Sequence, residues 1–427
     1  MVTKAQNDLL TRVCGDAPMG KYMREQTWIP FAVKGQVEPY DAPLKVRLLG
    51  EDYVAWRAPD GRVGFIEEAC PHRRASMALA RNEGCVLRCI FHGWAIDVSG
   101  KVAEAATHSP DPELFASRVK VKHFPVHEAG DLLWVYLGSG EPPAFQQLPF
   151  TVVPENQVWI SVTKAACNWL QGVEGSLDSA HVGTLHSSWM NRVADYNKNG
   201  GKPGANRFLK ALAPQYDVKR TPWGLSAVAL RTLEDGGTYV RATQYVAPYI
   251  NMVPRAPVGN GSIFIAVPID DENHLLFFGY FSQQEEVNEN SPRVQALLSE
   301  PAPKDNFAPF KGSREDNFGQ DRELMKQGHF TGFGHNLVAE DIVVQVSMGP
   351  ITDRTKENLS SSDVAIARAR AMLLQLIKNV NTGLPPLAPH DAPYEAHDAL
   401  PIDLQVPPGT DWQEAVRDCA DSKAVVA

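Results

Sequence analysis

The chain has 427 residues, too many for one ordinary hydrophobic core, so two domains are expected. Its 44% hydrophobic and 21% charged residues are those of a soluble globular protein. A formal net charge of −9 argues against nucleic acid or an anionic membrane as partner, and an anionic small substrate would need a local cluster of cations.

Read in chain order, MVTKAQNDLLTRVCG lacks the continuous apolar stretch of a secretory signal. No later run approaches the roughly 20 apolar residues of a membrane span. A cytoplasmic protein is expected. From about 44 to 137 the sequence reads as short strands and tight turns: LKVRLL, YVAWRA, RVGFIEE, WAIDV and DLLWVYLG, with LGED, PDG and SGK between them. This predicts a small all-β unit whose loops can present ligands. The Gly- and Pro-rich segment 138–149 makes a domain boundary.

Beyond it VWISVTKAA, YVRATQYVAPYI, SIFIAVPI and HLLFFGYFS are strand-like. A helix is predicted over 362–380, capped by Ser361 or Ser362, with Val364, Ala367, Ala371, Leu374 and Ile377 on one face. The Pro-rich stretch 384–408 is expected to run over the surface or against a neighbouring subunit rather than as a helix or central strand. The second domain therefore reads as α+β, a sheet wrapped by helices.

Of the cysteines Cys14, Cys70, Cys85, Cys89, Cys167 and Cys419, only three cluster, which argues for reduced thiols or metal ligands rather than a disulfide scaffold. Cys70-Pro-His72 and Cys89-Ile-Phe-His92 each offer one thiolate and one imidazole. Two thiolates on one iron and two imidazoles on the other make a Rieske [2Fe–2S] cluster. A Cys₂His₂ zinc site uses the same donors, but normally pairs cysteine with cysteine and histidine with histidine. Cys85 fits neither arm and reads as a small buried hydrophobe. Arg73 and Arg74 are candidates to meet an acidic electron donor, with exposed ion pairs as the plainer reading.

Asp178-x-x-His181-x₄-His186 is the next constellation. Two imidazoles and a carboxylate on one face of iron form the facial triad of non-haem Fe(II) oxygenases. On an ideal helix a five-residue step turns the second histidine about 140° from the first. The helix must therefore end or bulge between them, and Gly183 is the expected break. Alone this string is weak; downstream of a Rieske motif it becomes informative.

PMGKYMREQTWIPF, CPHRRAS, CIFHGW, NWLQGVEGSLDSAH with the second histidine in TLH, YVRATQYVAPYINMVP, REDNFGQDRE and SMGPITDRTKENL together resemble the α (oxygenase) subunit of a Rieske non-haem iron aromatic ring-hydroxylating oxygenase, of the phthalate dioxygenase type. The resemblance implies an N-terminal helical segment over 1–25 packing on the catalytic domain, a Rieske domain over 26–145 and a helix-grip (START-like) catalytic domain over 146–427 with a curved antiparallel sheet. It implies a third iron ligand, Asp341 in AEDIVVQ, an acidic pair followed by an apolar strand, with Glu340 as its rival. It also implies homotrimers, with stacking into hexamers left open. In them the cluster of one subunit lies beside the mononuclear Fe(II) of the next, and Asp178 bridges His72 or His92 to the neighbour's His181.

By the same resemblance, O₂ and electrons from NADH convert an aromatic carboxylate, phthalate foremost, to a cis-dihydrodiol. The chain has no G-x-G-x-x-G at a strand–helix junction, so a separate NADH-dependent reductase with flavin and a ferredoxin-type cluster is expected. Guanidinium groups suit a carboxylate substrate. The candidates are Arg207, after a Gly-rich loop, Arg231, and Arg241, which shares a strand face with Tyr239, Thr243 and Tyr245; Ser179 is a polar contact. Open alternatives are isophthalate, a halobenzoate or a phenoxybenzoate as substrate, monooxygenation or O-demethylation, and a pure Rieske electron carrier.

Overall fold

The computed structural model describes residues 2–191, 212–298, 304–308, 312–334, 336–382 and 395–424. They form two compact units: Arg12–Phe145 with Val267–Asp271, and Met1–Thr11, Gln146–Ala266 and Glu272–Ala427.

The first unit carries strands β1 (Ile29–Val33), β2 (Leu44–Leu48), β3 (Glu51–Arg57), β4 (Val63–Glu67), β5 (Arg81–Asn82), β6 (Val86–Arg88), β7 (Ala95–Asp97), β8 (Val102–Glu104), β9 (Val126–Ala129) and β10 (Leu132–Val135). They pair antiparallel as β1-β10-β9, β2-β3-β4 and β5-β6-β7-β8. The Pro59-Asp60-Gly61 turn closes the β3–β4 hairpin, with Ala58 N–H donating to the Arg62 carbonyl at 2.8 Å. Gly61 takes a φ of 89° there, which a side chain would resist. Val54, Trp56, Ile66, Met77, Leu87 and Ile96 pack around Cys70 and Cys89. Each large apolar side chain buried in this way contributes about 1.5–3 kcal/mol.

The second unit is built on an eight-stranded sheet of β11 (Val158–Ala165), β12 (Gln215–Thr221), β13 (Gly224–Thr232), β14 (Thr238–Val246), β15 (Ile250–Arg255), β16 (Asn260–Pro268), β17 (His274–Ser282) and β18 (Ile402–Val406). The order is β11-β17-β16-β15-β14-β13-β12, with β18 pairing antiparallel to β14. The helix Trp169–Leu177 packs on this sheet and against the helix Leu337–Ser347. Gly172 and Gly175 permit that approach: a Cβ would meet His274 Nε2 at 2.7 Å on the first and Gln345 Nε2 at 2.5 Å on the second. The fold is α+β with an antiparallel sheet, as expected. Among the described helices none is long and apolar enough to cross a membrane.

Three local expectations are corrected. The long helix runs Val364–Asn381 with Asp363 as N-cap, while Ser360 caps the preceding 3₁₀ turn. It buries Ala365, Ala369, Arg370, Met372, Leu373 and Leu376, so Val364, Ala367 and Ala371 do not mark its inner face. Within 384–408, Ile402–Val406 forms a strand, because all its prolines lie outside that stretch and its N–H groups are free to pair. The segment following Glu340 and Asp341 is helix, not strand: Asn336 caps it by accepting from Ala339 N–H at 3.0 Å, and Leu337, Val338, Ile342 and Val343 are buried.

Candidate metal centres

Two matching loops carry the four Rieske-type donors. Arg74 N–H donates to the Cys70 carbonyl at 2.9 Å, and Gly93 N–H donates to the Cys89 carbonyl at 3.0 Å. Each turn ends in the left-handed region, with φ of 64° at Arg74 and 74° at Gly93. A second bond ties each cysteine to its loop's far side: Cys70 N–H to the Ala75 carbonyl and Cys89 N–H to the Trp94 carbonyl, both at 2.8 Å. The cysteines are buried in the core, whereas His72 and His92 are only partly covered. Their rings meet edge-on, with centroids 4.5 Å apart, and His72 lies flat on Trp94.

The chemistry of this set fits an iron–sulfur cluster. His72 Nδ1 is buried without a hydrogen-bond partner, so it is available as an inward-facing donor. Burial, then His92 and Arg73, lower the His72 pKa and favour the neutral, ligating imidazole. Burial and the neighbouring Cys89 push the Cys70 thiol up to about 11, so a bound cation is what would hold it as thiolate. Cys85 is exposed, not buried, because it sits in the turn joining β5 and β6. Arg73 lies over the Phe91 ring, and Arg74 makes an exposed contact with Glu67 at 3.8 Å.

The second centre lies where three segments of the other unit converge. The helix Trp169–Leu177 ends at Asp178, and a four-residue helix, Val182–Leu185, follows with His181 and His186 at its two ends. The chain thus breaks at both ends of the short helix, and Gly183 sits inside it; this corrects the expected break at Gly183. Asp341 Oδ1 lies 3.4 Å from His181 Nε2 and 3.1 Å from His186 Nε2. One donor atom from each residue falls within 4.8 Å of the others. His186 Nε2 is buried and makes no hydrogen bond, an orphan that a metal ion would satisfy.

Carboxylates hold both rings from behind. Asp178 Oδ2 lies 3.2 Å from His181 Nδ1 and Glu340 Oε2 lies 2.8 Å from His186 Nδ1. Burial opposes charging of His181, but Asp178 and Asp341 outweigh it and raise its pKa to about 10. Asp341 is held well below the usual carboxylate range: burial works against this, and His186 and His181 prevail. Two imidazoles and one carboxylate converging on a common point suit a mononuclear iron.

A pocket opens beside these residues. Val182, Met190, Val253, Phe264 and Leu337 give it apolar walls, and Arg241, Arg255, Thr243 and Ser179 give it polar ones. Arg255 donates Nε–H to Ser262 Oγ at 2.9 Å and makes no ion pair among the described residues. Burial, and then Arg241, push its pKa down to about 10. Ser179 is tied to Arg231, whose Nη2 donates to the Ser179 carbonyl at 2.6 Å. Arg207 lies outside the described residues. Arg255 escaped the sequence reading; its signal was the two-residue alternation of β15, which puts it on the same face as Val253.

Residues 27–125 match the Rieske [2Fe-2S] domain and residues 135–425 match the family described as LigXa C-terminal domain like. The chain belongs to the Rieske non-haem iron oxygenase α-subunit family. It is 37% identical over 400 residues to the phthalate 4,5-dioxygenase oxygenase subunit of Pseudomonas putida, covering 90% of this chain and 88% of that one. It is 30% identical over 397 residues to the 5,5'-dehydrodivanillate O-demethylase oxygenase subunit of a Sphingobium strain, covering 91% and 83%. The fold matches crystalline dicamba monooxygenase bound to 3,6-dichlorosalicylic acid, with a TM-score of 0.57 at 16% identity over 84% of this chain and 98% of that one. This Rieske oxygenase is an oxidoreductase whose cofactors are a [2Fe–2S] cluster and a mononuclear iron.

Proposed function

We propose that this Rieske oxygenase cis-dihydroxylates an aromatic carboxylate of the phthalate kind. The observation that carries this reading is the pair of pocket cations, Arg241 and Arg255, on neighbouring strands beside His181, His186 and Asp341. Arg255 makes no ion pair among the described residues, and a substrate carboxylate matches the fork of a guanidinium. The apolar wall of Val182, Met190, Val253, Phe264 and Leu337 would receive the ring.

Cys70, His72, Cys89 and His92 would hold the cluster, and His181, His186 and Asp341 the iron. When bound, these groups supply one-electron transfer and O₂ activation. Asp178 Oδ1 accepts from Ala180 N–H and Oδ2 from His181 N–H, so the carboxylate is fixed and can accept one more N–H. In this reading that donor is a cluster imidazole of a second copy in a homotrimer, and a separate NADH-dependent reductase feeds the cluster.

The test is a screen of phthalate, isophthalate, halobenzoates, phenoxybenzoates and methoxylated acids with a compatible reductase under ¹⁸O₂. Incorporation of both labelled atoms into a phthalate-type acid is expected. Single-atom incorporation or loss of a methyl group would replace this reading with monooxygenation or O-demethylation.

A further inference from the structure

Glu340 and Asp341 are consecutive on one helix, yet they reach the same imidazole from opposite sides. Asp341 Oδ1 stands 3.1 Å from His186 Nε2, and Glu340 Oε2 stands 2.8 Å from His186 Nδ1. Successive helix positions diverge by about 100°, so two neighbouring acidic side chains can bracket a ring inserted between them. Glu340 is only 2% exposed and His186 1%. The second Glu340 oxygen, Oε1, accepts from the Thr331 hydroxyl, and Thr331 is itself buried. Both oxygens of Glu340 are therefore engaged, one at His186 Nδ1 and the other at the Thr331 hydroxyl.

We propose that Glu340 is a positioning residue for the mononuclear metal, not a ligand. By accepting the Nδ1 proton it fixes the tautomer of His186, aims Nε2 at the metal and raises the basicity of the ring, with Thr331 fixing the carboxylate in turn. His181 and His186 are then unequal partners. His181 leans on Asp178, whose side chain is 19% exposed, whereas His186 leans on a carboxylate sealed from solvent. The sealed contact is the stronger anchor, because water does not compete for it. The inference rests on the assignment of His181, His186 and Asp341 as the metal site.

The test uses the full chain carrying its Rieske cluster, freed of mononuclear metal, with anaerobic Fe(II) titration by calorimetry. Asp341→Asn separates the two ideas: if it binds Fe(II) as the parent does, the site assignment and this proposal both fall. With that site established, Glu340→Ala is expected to weaken Fe(II) binding by about 10- to 100-fold. Glu340→Gln keeps an acceptor for Nδ1–H without the charge and should lose less. Both should alter the electron paramagnetic resonance spectrum of the nitric oxide adduct, which reads the ligand field and not overall stability. The melting temperature of the metal-free protein controls for folding, and Glu340→Gln decides the question if Glu340→Ala does not fold. Parent-like Fe(II) affinity with an unchanged adduct spectrum in Glu340→Gln would overturn the proposal.

Discussion

Glu174 and Arg354 form a forked ion pair sealed inside the catalytic unit, with Arg354 Nη2 donating to Oε2 at 2.8 Å and Nε to Oε1 at 3.1 Å. Arg370 Nε adds a bond to Oε1 at 2.7 Å, and its other nitrogens reach Glu357. The network joins the helix that leads into Asp178 to the long helix Val364–Asn381 and to Asn7 near the N-terminus. Removing one charge from such a set strands the others in a poor solvent. Glu174→Gln should therefore cost about 3–5 kcal/mol, read from chemical denaturation. Burial opposes the Glu174 charge, but Arg354 and Arg370 prevail and lower its pKa. The sign follows: its stabilising contribution is present above the ordinary carboxylate pKa and is lost as pH falls through the lower folded value. The acid side of the stability profile should be flatter in the variant; an identical profile would show that the network does not matter.

Trp94 is predicted to hold the second loop of the cluster site together. Its indole stacks on His72 with centroids 4.6 Å apart and planes 5° apart, while Nε1 donates to Thr107 Oγ1 at 3.1 Å. Trp94→Ala should cost about 3–5 kcal/mol in the Rieske unit through the cavity it leaves. Visible circular dichroism of the cluster should fade at a lower temperature in this variant, and Trp94→Phe should recover part of the loss.

These relationships also show which parts were legible beforehand. The proposed cluster donors stand out in the sequence because each Cys–His pair lies within one short loop. Asp341 required the family resemblance: it is remote in sequence, and the β-branched run Ile342-Val343-Val344 looks like a strand. Capping by Asn336 and burial of Leu337, Val338 and Ile342 make it a helix. The inner face of Val364–Asn381 was misread because Arg370, a charged residue, points inward to Glu174. Apolar periodicity has no means of marking a buried ion pair. Arg255 was missed for a related reason, since a lone arginine near the end of an apolar strand looks like a surface cap.

Arg241 and Arg255 should divide between them the recognition of an acidic substrate. Replacing either with Met removes a charged hydrogen bond worth about 1.5–3 kcal/mol, so kcat/KM for the preferred acid should fall about 10- to 100-fold. Most of the change should fall in KM, because the contact is made to the carboxylate and not to the reacting carbons. Uncharged analogues of the same ring should be affected little. If Arg255→Met leaves KM for every active acid unchanged, the carboxylate clamp is wrong.

Asp178→Asn tests the proposed path of electrons between copies. Asp178 accepts Ala180 N–H at 2.7 Å, His181 N–H at 3.1 Å and faces His181 Nδ1 at 3.2 Å. An asparagine oriented with its oxygen toward His181 keeps the last two contacts. Its amide group then faces the Ala180 N–H and cannot accept a bond from outside. The variant should fold and keep the parent's complement of three irons per chain, a number that follows from the two-iron cluster and one mononuclear iron. Turnover should nevertheless fall about 10- to 100-fold or more, the usual cost of losing an outer carboxylate. The delay should appear as slow reoxidation of the reduced cluster when substrate and O₂ are added together. Iron analysis and stopped-flow absorbance at the cluster band check both halves. Parent-like reoxidation with full iron content would remove Asp178 from the path.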